Sequence, residues 1–363
     1  MTQAAQLAQY GANNVGLSFK NRIINGDMAI AQRGTSFSFP TGGGTNYYGA
    51  DRFRTFDYQW SSGSNPTVSN DTTVFPTGFR NSYKYATGGT GLTFSSGGYQ
   101  QIEQAIEGFN IADCYSENIT ISFWVRSSTA GQYNICLTNN LLNFQRYLTK
   151  NYTINSANTW EYKTITVDLS AGIASGGTWN TTNGTGLCLL FMLGAHADRT
   201  GNNGLNTWAT GGSPAFALQT TGSVNLATIA NSTFNITGVQ LEKGSVATSF
   251  DYLPYTTELQ LCQRYFQIVP FMGIAVNTGE LGCLMPVKVQ MRATASFNTA
   301  LRNGTDYTGT LGMDNWGVAF TTVSGVSFGT VGQNGCLNFY ATGSPALVAG
   351  RVYGGSTQAS AEL

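Results

Sequence analysis

The chain has 363 residues, and its 18 Lys and Arg balance 18 Asp and Glu, so the formal net charge is zero and charged residues make up only 10%. Without a basic surplus to neutralise phosphate, a nucleic-acid ligand is excluded as the main partner. The longest apolar run, Leu187–Leu193, falls far short of the ~20 residues a membrane-spanning helix needs, so no membrane insertion is expected. Apolar residues at 41%, with 18 Tyr, 21 Phe and 6 Trp, exclude a disordered chain, and 45 Gly among many Asn, Ser and Thr describe a β-rich protein with an amide and hydroxyl surface.

Residues 1–18 read as a small-residue arm, either a flexible terminus or an anchoring peptide carried by Ala4, Leu7 and Ala8. The stretch MTQAAQLAQYGANN has no basic n-region and no apolar h-region, so release by lysis rather than export is expected. From Phe19 the pattern turns to strands, with Asn25-Gly26 between two apolar pieces as a tight turn whose residues tolerate positive φ. Phe79, Asn81, Tyr83 and Tyr85 alternate with Arg80, Ser82 and Lys84. The same period of two runs through Ile119, Ile121, Phe123 and Val125, and through 160–167. LCLLFML at 187–193 is apolar on both faces, the signature of an inner strand. Long Gly/Asn/Thr loops at 171–186 and 198–214 separate these pieces. Many short strands with such turns predict a β-sandwich or jelly roll.

In ITGVQLEKGSVATSFDYLPY the apolar register slips by one at Gly238: Phe234 and Ile236 lead, then Val239 and Leu241. A slip at a glycine predicts a β-bulge. Thr256 or Thr257 then caps a short helix, ELQLCQRYF. Beyond it, Val287, Val289 and Met291, then Leu337, Phe339 and Ala341, then 346–353 read as further strands. The expected fold is therefore all-β: a jelly-roll β-sandwich followed by a smaller C-terminal β domain, joined by a short helix. The expected segments are an arm at 1–18, a jelly roll at 19–255, a helical connector at 256–266 and a terminal β domain at 267–363.

Catalytic chemistry finds little support. His196 is the single histidine, in the loop-like GAHADRT, and no nucleophile frame surrounds it. Glycoside hydrolysis needs two facing carboxylates. The pairs available are Glu103 with Glu107, placed by alternation on the solvent face of a strand, and Asp306 with Asp314. The six cysteines, at 114, 136, 188, 262, 283 and 336, form no CxxC pair and read as buried free thiols. Asp27 and Glu242 could meet if the first and last strands of the sandwich pair, and would then hold a structural Ca²⁺; a cap or a salt bridge to Arg22 or Lys243 is the plainer reading. No other cofactor is expected. Sugar binding needs aromatic faces among amides and hydroxyls. Tyr47, Tyr48, Trp60, Trp179 and Trp208 in the first domain, and Tyr307, Trp316, Tyr340 and Tyr353 in the second, are the loop aromatics that would supply them.

NRIINGDMAIAQRGTS followed by YYGADRFR, then QAIEGFNIAD, ITISFWVRSS, TWEYKTITV, ITGVQLEKGSVATSFDYLPYTTELQLCQRYF, VKVQMRATA and the terminal ASAEL, form an ordered series of blocks. The series resembles a carbohydrate-binding-module-like jelly roll of bacteriophage tail fibres and related virion appendages, over about residues 19–295 and the last few. The resemblance implies a non-enzymatic homotrimeric structural protein of the virion surface that recognises host surface glycan. Residues 1–18 would attach it to other virion proteins, and the C-terminal domain would be the host-facing tip. The short arm departs from long tail fibres, which leaves a capsid-bound head fibre or decoration protein as one alternative; a polysaccharide depolymerase is a separate one.

Overall fold

The computed structural model describes residues 20–44, 46–141, 144–212, 216–278, 280–297, 311–314, 320–323, 326–341 and 352–363; the 1–18 arm lies outside them. The chain divides into two compact units. The first holds residues 20–29, 35–49 and 53–253; the second holds 30–34, 50–52 and 254–363.

In the first unit the strands are β1 (Ser36–Ser38), β2 (Asn46–Ala50), β3 (Phe53–Ser62), β4 (Thr67–Asp71), β5 (Ser82–Ala86), β6 (Thr93–Glu107), β7 (Asn118–Ser127), β8 (Gly131–Thr138), β9 (Arg146–Ile154), β10 (Glu161–Asp168), β11 (Thr185–Ala195), β12 (Ala209–Thr210) and β13 (Thr233–Lys243). One sheet runs β1-β4-β5-β13-β7-β10, the other β12-β9-β8-β11-β6-β3-β2. Within the sheets, β1–β4–β5–β13–β7–β10 and β12–β9–β8–β11–β6–β3 pair antiparallel throughout. The two sheets pack through their inner faces: Phe123 of β7 meets Phe191 of β11 edge-on at 5.0 Å, and Tyr133 of β8 meets Phe234 of β13 at 5.8 Å. Polar contacts cross the same core, with the Tyr83 and Thr55 hydroxyls 2.7 Å apart and Tyr85 donating to Gln100 at 2.5 Å. This is the jelly-roll sandwich that the alternation predicted. LCLLFML forms β11, inner between β6 and β8 and buried along both faces.

The Gly238 bulge is present. The β13–β7 register shifts between Thr237 and Gln240, Gly238 has φ +61°, and Phe234, Ile236, Val239 and Leu241 are all buried. Residues 20–28 run beside this strand: the Arg22 N–H donates to the Leu241 carbonyl at 2.8 Å, and the Val239 N–H to the Gly26 carbonyl at 2.9 Å. Two short helices, α1 (Gly108–Ile111) and α2 (Leu169–Ala174), sit among the connections. The second runs into the start of the expected 171–186 loop, where Asp168 caps it by accepting from the Ala171 N–H at 3.2 Å.

The second unit begins with α3 (Tyr255–Gln263) and continues as β14 (Phe266–Ala275), β15 (Glu280–Pro286), β16 (Ser296–Phe297), β17 (Leu311–Asp314), β18 (Phe320–Val323), β19 (Val326–Gly332), β20 (Gly335–Ala341) and β21 (Val352–Ser360). Their order is β18-β17-β21-β14-β15-β20-β19, with β16 on β21. One face of this sheet packs a core of Val269, Phe271, Ala275, Met285, Met291, Cys336 and Ala359. The short segments 30–34 and 50–52 join this unit through charge: Arg33 pairs with Asp51 at 3.5 Å and with Glu362 at 2.6 Å, and Arg52 pairs with Glu362. Arg33 also lies 3.8 Å over the Phe266 ring, and Arg52 3.5 Å over that of Tyr265.

Several expectations need correction. The helix starts at Tyr255 with Pro254 at its N-cap and no side-chain cap, so Thr256 and Thr257 lie within it; the fixed φ of proline sets the entry instead. Residues 287–290 form no strand, because the Gln267 side chain takes their backbone, accepting from the Lys288 N–H at 2.6 Å and donating to the Val289 carbonyl at 2.9 Å. Of the strand expected at 346–353, only the part from Val352 is described, as the start of β21. Cys114, Cys136, Cys188, Cys262 and Cys336 are buried thiols outside any disulfide, and burial pushes the Cys114 thiol up to about 11. No helix among the described residues is long and apolar enough to cross a membrane.

Candidate functional site

Three cross-strand pairs lie on the outer face of the second sandwich sheet. Arg54, Phe56 and Tyr58 of β3 stand opposite Glu103, Gln101 and Tyr99 of β6. The period of two puts all six on one face. Phe56, Tyr58 and Tyr99 form a mutual ring contact, with centroids 5.7–6.3 Å apart. Tyr99 leads on to Phe144 at 6.4 Å, Phe144 stacks on Phe216 at 4.7 Å, and the Arg199 guanidinium lies 4.3 Å over Phe216.

The polar members are unusual for a sheet face. Glu103 is only 2% exposed and accepts from Nε and Nη2 of Arg54 and from the Gln101 amide. Burial lifts its carboxyl above the usual range, although the Arg54 charge and these hydrogen bonds pull the other way. Burial works against the Arg54 charge as well, but Glu103 holds the guanidinium above its ordinary value. Burial and the Glu103 charge push the Tyr99 phenol well up, so it stays a neutral donor. Because the Gln101 Nε2 donates to a carboxylate, its Oε1 faces away, and that buried oxygen has no partner among the described residues. The Arg54 Nη1 is likewise unused among them. Tyr58 is 38% exposed, so the face combines an accessible ring, a free guanidinium N–H group and a buried carbonyl acceptor. Such a face can stack on a sugar ring and exchange hydrogen bonds with its hydroxyls.

This corrects the reading of Glu103 and Glu107 as solvent-facing. β6 is an inner strand between β3 and β11, and both glutamates are buried. Trp60 is corrected too. It lies in β3, is 2% exposed, and donates its indole N–H to Asp57 at 2.9 Å. A register shift after Tyr58, with Gln59 at φ +50°, turns Trp60 inward to the side of Asp57, so no sugar ring can stack on it.

Trp179 and Trp208 are brought together. Their rings meet edge-on at 5.4 Å, and Tyr115 meets Trp179 at 5.7 Å. Both are half-buried, and both indole N–H groups serve the chain itself, donating to the Gly176 and Asp168 carbonyls at 3.0 Å. A Cβ at Gly172 would lie 2.6 Å from the Trp208 ring, so this cluster is packed against α2. Tyr47 stacks on Phe37 at 5.4 Å, and Tyr48 lies close enough to raise the Arg54 pKa. Tyr307 and Trp316 lie outside the described residues, as do the side chains of Tyr340 on β20 and Tyr353 on β21.

Asp27 and Glu242 do not form a pair among the described contacts. Thr248 fills the Glu242 carboxylate with its N–H at 2.8 Å and its hydroxyl at 2.7 Å, and Gln240 adds an amide at 2.8 Å. Burial raises the Asp27 carboxyl, which accepts from the Ala29 N–H at 3.3 Å. Arg22 pairs with Asp113 and Lys243 with Glu117 instead. No group of three metal-ligating side chains occurs among the described residues. The His196 Nδ1 lies 2.8 Å from Asp198, and Ser96 donates to the same carboxylate at 2.6 Å, so the aspartate stands between serine and histidine and no nucleophile–base relay forms. Asp306 and the Asp314 side chain lie outside the described residues.

Sequence reasoning missed Arg54, Phe56, Tyr58 and Tyr99. The signal was available in FRTFDYQW, where Arg54, Phe56 and Tyr58 recur at every second position.

No protein-family model matches the chain, and no curated protein does. Among solved structures it is similar to carbohydrate-binding modules. A family 11 module from Clostridium thermocellum, in complex with a β-1,3-1,4-mixed-linked tetrasaccharide, is 14% identical with a TM-score of 0.28, over 59% of this chain and 98% of that one. A family 30 module of a cellulosomal cellulase from the same organism is 11% identical with a TM-score of 0.28, over 60% and 99%. A CBM4 structure is 14% identical with a TM-score of 0.26, over 48% and 88%. At these scores the likeness carries no functional argument.

Proposed function

We propose that this chain is a non-catalytic carbohydrate-binding protein, built into a bacteriophage virion appendage as a homotrimer, that contacts host surface glycan through the β3–β6 face. One observation carries the binding part: Tyr58 is exposed in ring contact with Phe56 and Tyr99, beside an Arg54 guanidinium locked by Glu103. The low charge content supports a ligand recognised by stacking and hydroxyl contacts rather than by ion pairing. The virion setting rests on the ordered sequence blocks from NRIINGDMAIAQRGTS to ASAEL.

A glycan array of bacterial surface polysaccharides tests the binding. The wild type is expected to retain at least one polysaccharide, and Tyr58→Ala to lose it with the same thermal midpoint. No release of reducing ends is expected on incubation with that polysaccharide. Release that Glu103→Gln abolishes would establish a depolymerase instead. Immunogold labelling of particles separates a tail position from a capsid one.

A further inference from the structure

In β7, Ile119, Ile121, Phe123 and Val125 are buried in the core, so the alternate residues Thr120, Ser122, Trp124 and Arg126 point to the outer face of the first sandwich sheet. Trp124 stands opposite Tyr162 on the edge strand β10 and opposite Thr237 on β13. The nearest register positions around the pair are Ser122, Thr164 and Asn235, so no aliphatic side chain of these strands adjoins it. Tyr162 is 44% exposed and Trp124 half-buried. Their ring centroids are 5.4 Å apart with the planes inclined by 48°, so the two rings are not stacked face to face. Trp60, Trp179 and Trp208 donate their indole N–H groups to the chain itself, whereas that of Trp124 meets no acceptor among the described residues. The one charged neighbour on this face, Arg126, donates its Nε to the Asn158 carbonyl at 3.0 Å. Glu161 and Lys163, on the opposite side of β10, pair with each other at 2.7 Å.

We propose that Trp124 and Tyr162 form a second glycan-contact face, and that the ligand is a polysaccharide of repeating hydroxyl-rich pyranose units rather than a single terminal sugar. A protein interface centres on a buried apolar patch. Two rings set among hydroxyls, an amide and one arginine do not supply such a patch. They do match a pyranose, whose C–H face lies on a ring while its hydroxyls meet the surrounding O–H and N–H groups. The β3–β6 face belongs to the other sheet, so the two faces look outward from opposite sides of the sandwich. A short sugar meets one of them at a time. A repeating polymer, or neighbouring chains in a dense surface layer, meets both, and each contact then raises the effective concentration for the other. This second face presupposes glycan binding at β3–β6 and extends it.

Binding of the full chain to the immobilised polysaccharides of the array, and to short oligosaccharides cut from a retained one, tests it with the double variant Trp124→Ala/Tyr162→Ala. On polysaccharide the variant is expected to need roughly tenfold or more protein for half-saturation. On the short oligosaccharide it is expected to bind as the wild type does, with unchanged circular dichroism. Tyr162→Ser, on the exposed edge strand, is expected to lose roughly threefold on polysaccharide, and it serves if the double variant misfolds. Variants that bind polysaccharide as the wild type does overturn the second face and leave the β3–β6 reading standing. A loss of equal size on the oligosaccharide overturns the division of binding between two faces. A wild type that retains no polysaccharide overturns the glycan reading itself, and the second face with it.

Discussion

Gly238→Ala is expected to be among the most damaging single-methyl additions in the first unit. The residue sits at φ +61°, which costs an L side chain about 1–2 kcal/mol. Its new Cβ would lie 2.5 Å from Cζ of Phe79, and Phe79 cannot retreat freely because Phe250 and Tyr252 pack on it at 5.2 and 5.6 Å. Overpacking of this kind costs about 1–3 kcal/mol. The sum is about 2–5 kcal/mol, and at 3 kcal/mol the thermal midpoint of a domain this size falls by roughly 6–12 °C. Urea titration monitored by tryptophan fluorescence reads the loss. Gly89→Ala is the control: it meets nothing within 4 Å, and its expected change is within about 0.5 kcal/mol. In a Phe79→Leu background the clash is relieved and only the backbone part, about 1–2 kcal/mol, remains. A Gly238→Ala loss no larger than the control's would refute the bulge as the point that sets the β13 register.

Other substitutions test the remaining structure. Asp71 is pushed up by burial, but the Thr73 hydroxyl, the Thr73 and Val74 N–H groups and Lys84 hold it below 3.8; Asp71→Asn therefore costs stability at neutral pH, and the gap to wild type closes as pH falls through that lowered value. Glu103 has the opposite sign: raised by burial above 4.5 against the pull of Arg54, it contributes stability that is full below pH 4.5 and lost as pH rises through the folded value, a decline that Glu103→Gln is expected to abolish in urea titrations across pH. Thr248→Val removes one donor from the buried Glu242 carboxylate and is expected to cost about 1–3 kcal/mol, with the same midpoint in calcium as in chelator.

Elements set by local pattern were legible in the sequence. The period of two placed Ile119, Ile121, Phe123 and Val125 on the core side of β7, and the slip at Gly238 marked the bulge. What depends on neighbours far along the chain was not. Glu103 reads as a surface group until β3 brings Arg54 beside it from 49 residues away. Trp60 reads as a loop platform because nothing local announces the shift at Gln59 that turns it inward. Nor does any composition change separate 30–34 and 50–52 from their surroundings; they join the second unit through Glu362, more than 300 residues on. The Arg54–Phe56–Tyr58 alternation was visible, but its value as a site comes only from the register with Tyr99, Gln101 and Glu103.

Isothermal titration with an oligosaccharide from the retained glycan, using wild type, Tyr58→Ala and Trp208→Ala, tests the central claim most directly. The account predicts that Tyr58→Ala loses about 2 kcal/mol, roughly thirtyfold in affinity, while Trp208→Ala binds as wild type does. Undiminished binding by Tyr58→Ala, with loss in Trp208→Ala, would move recognition off the β3–β6 face and contradict it.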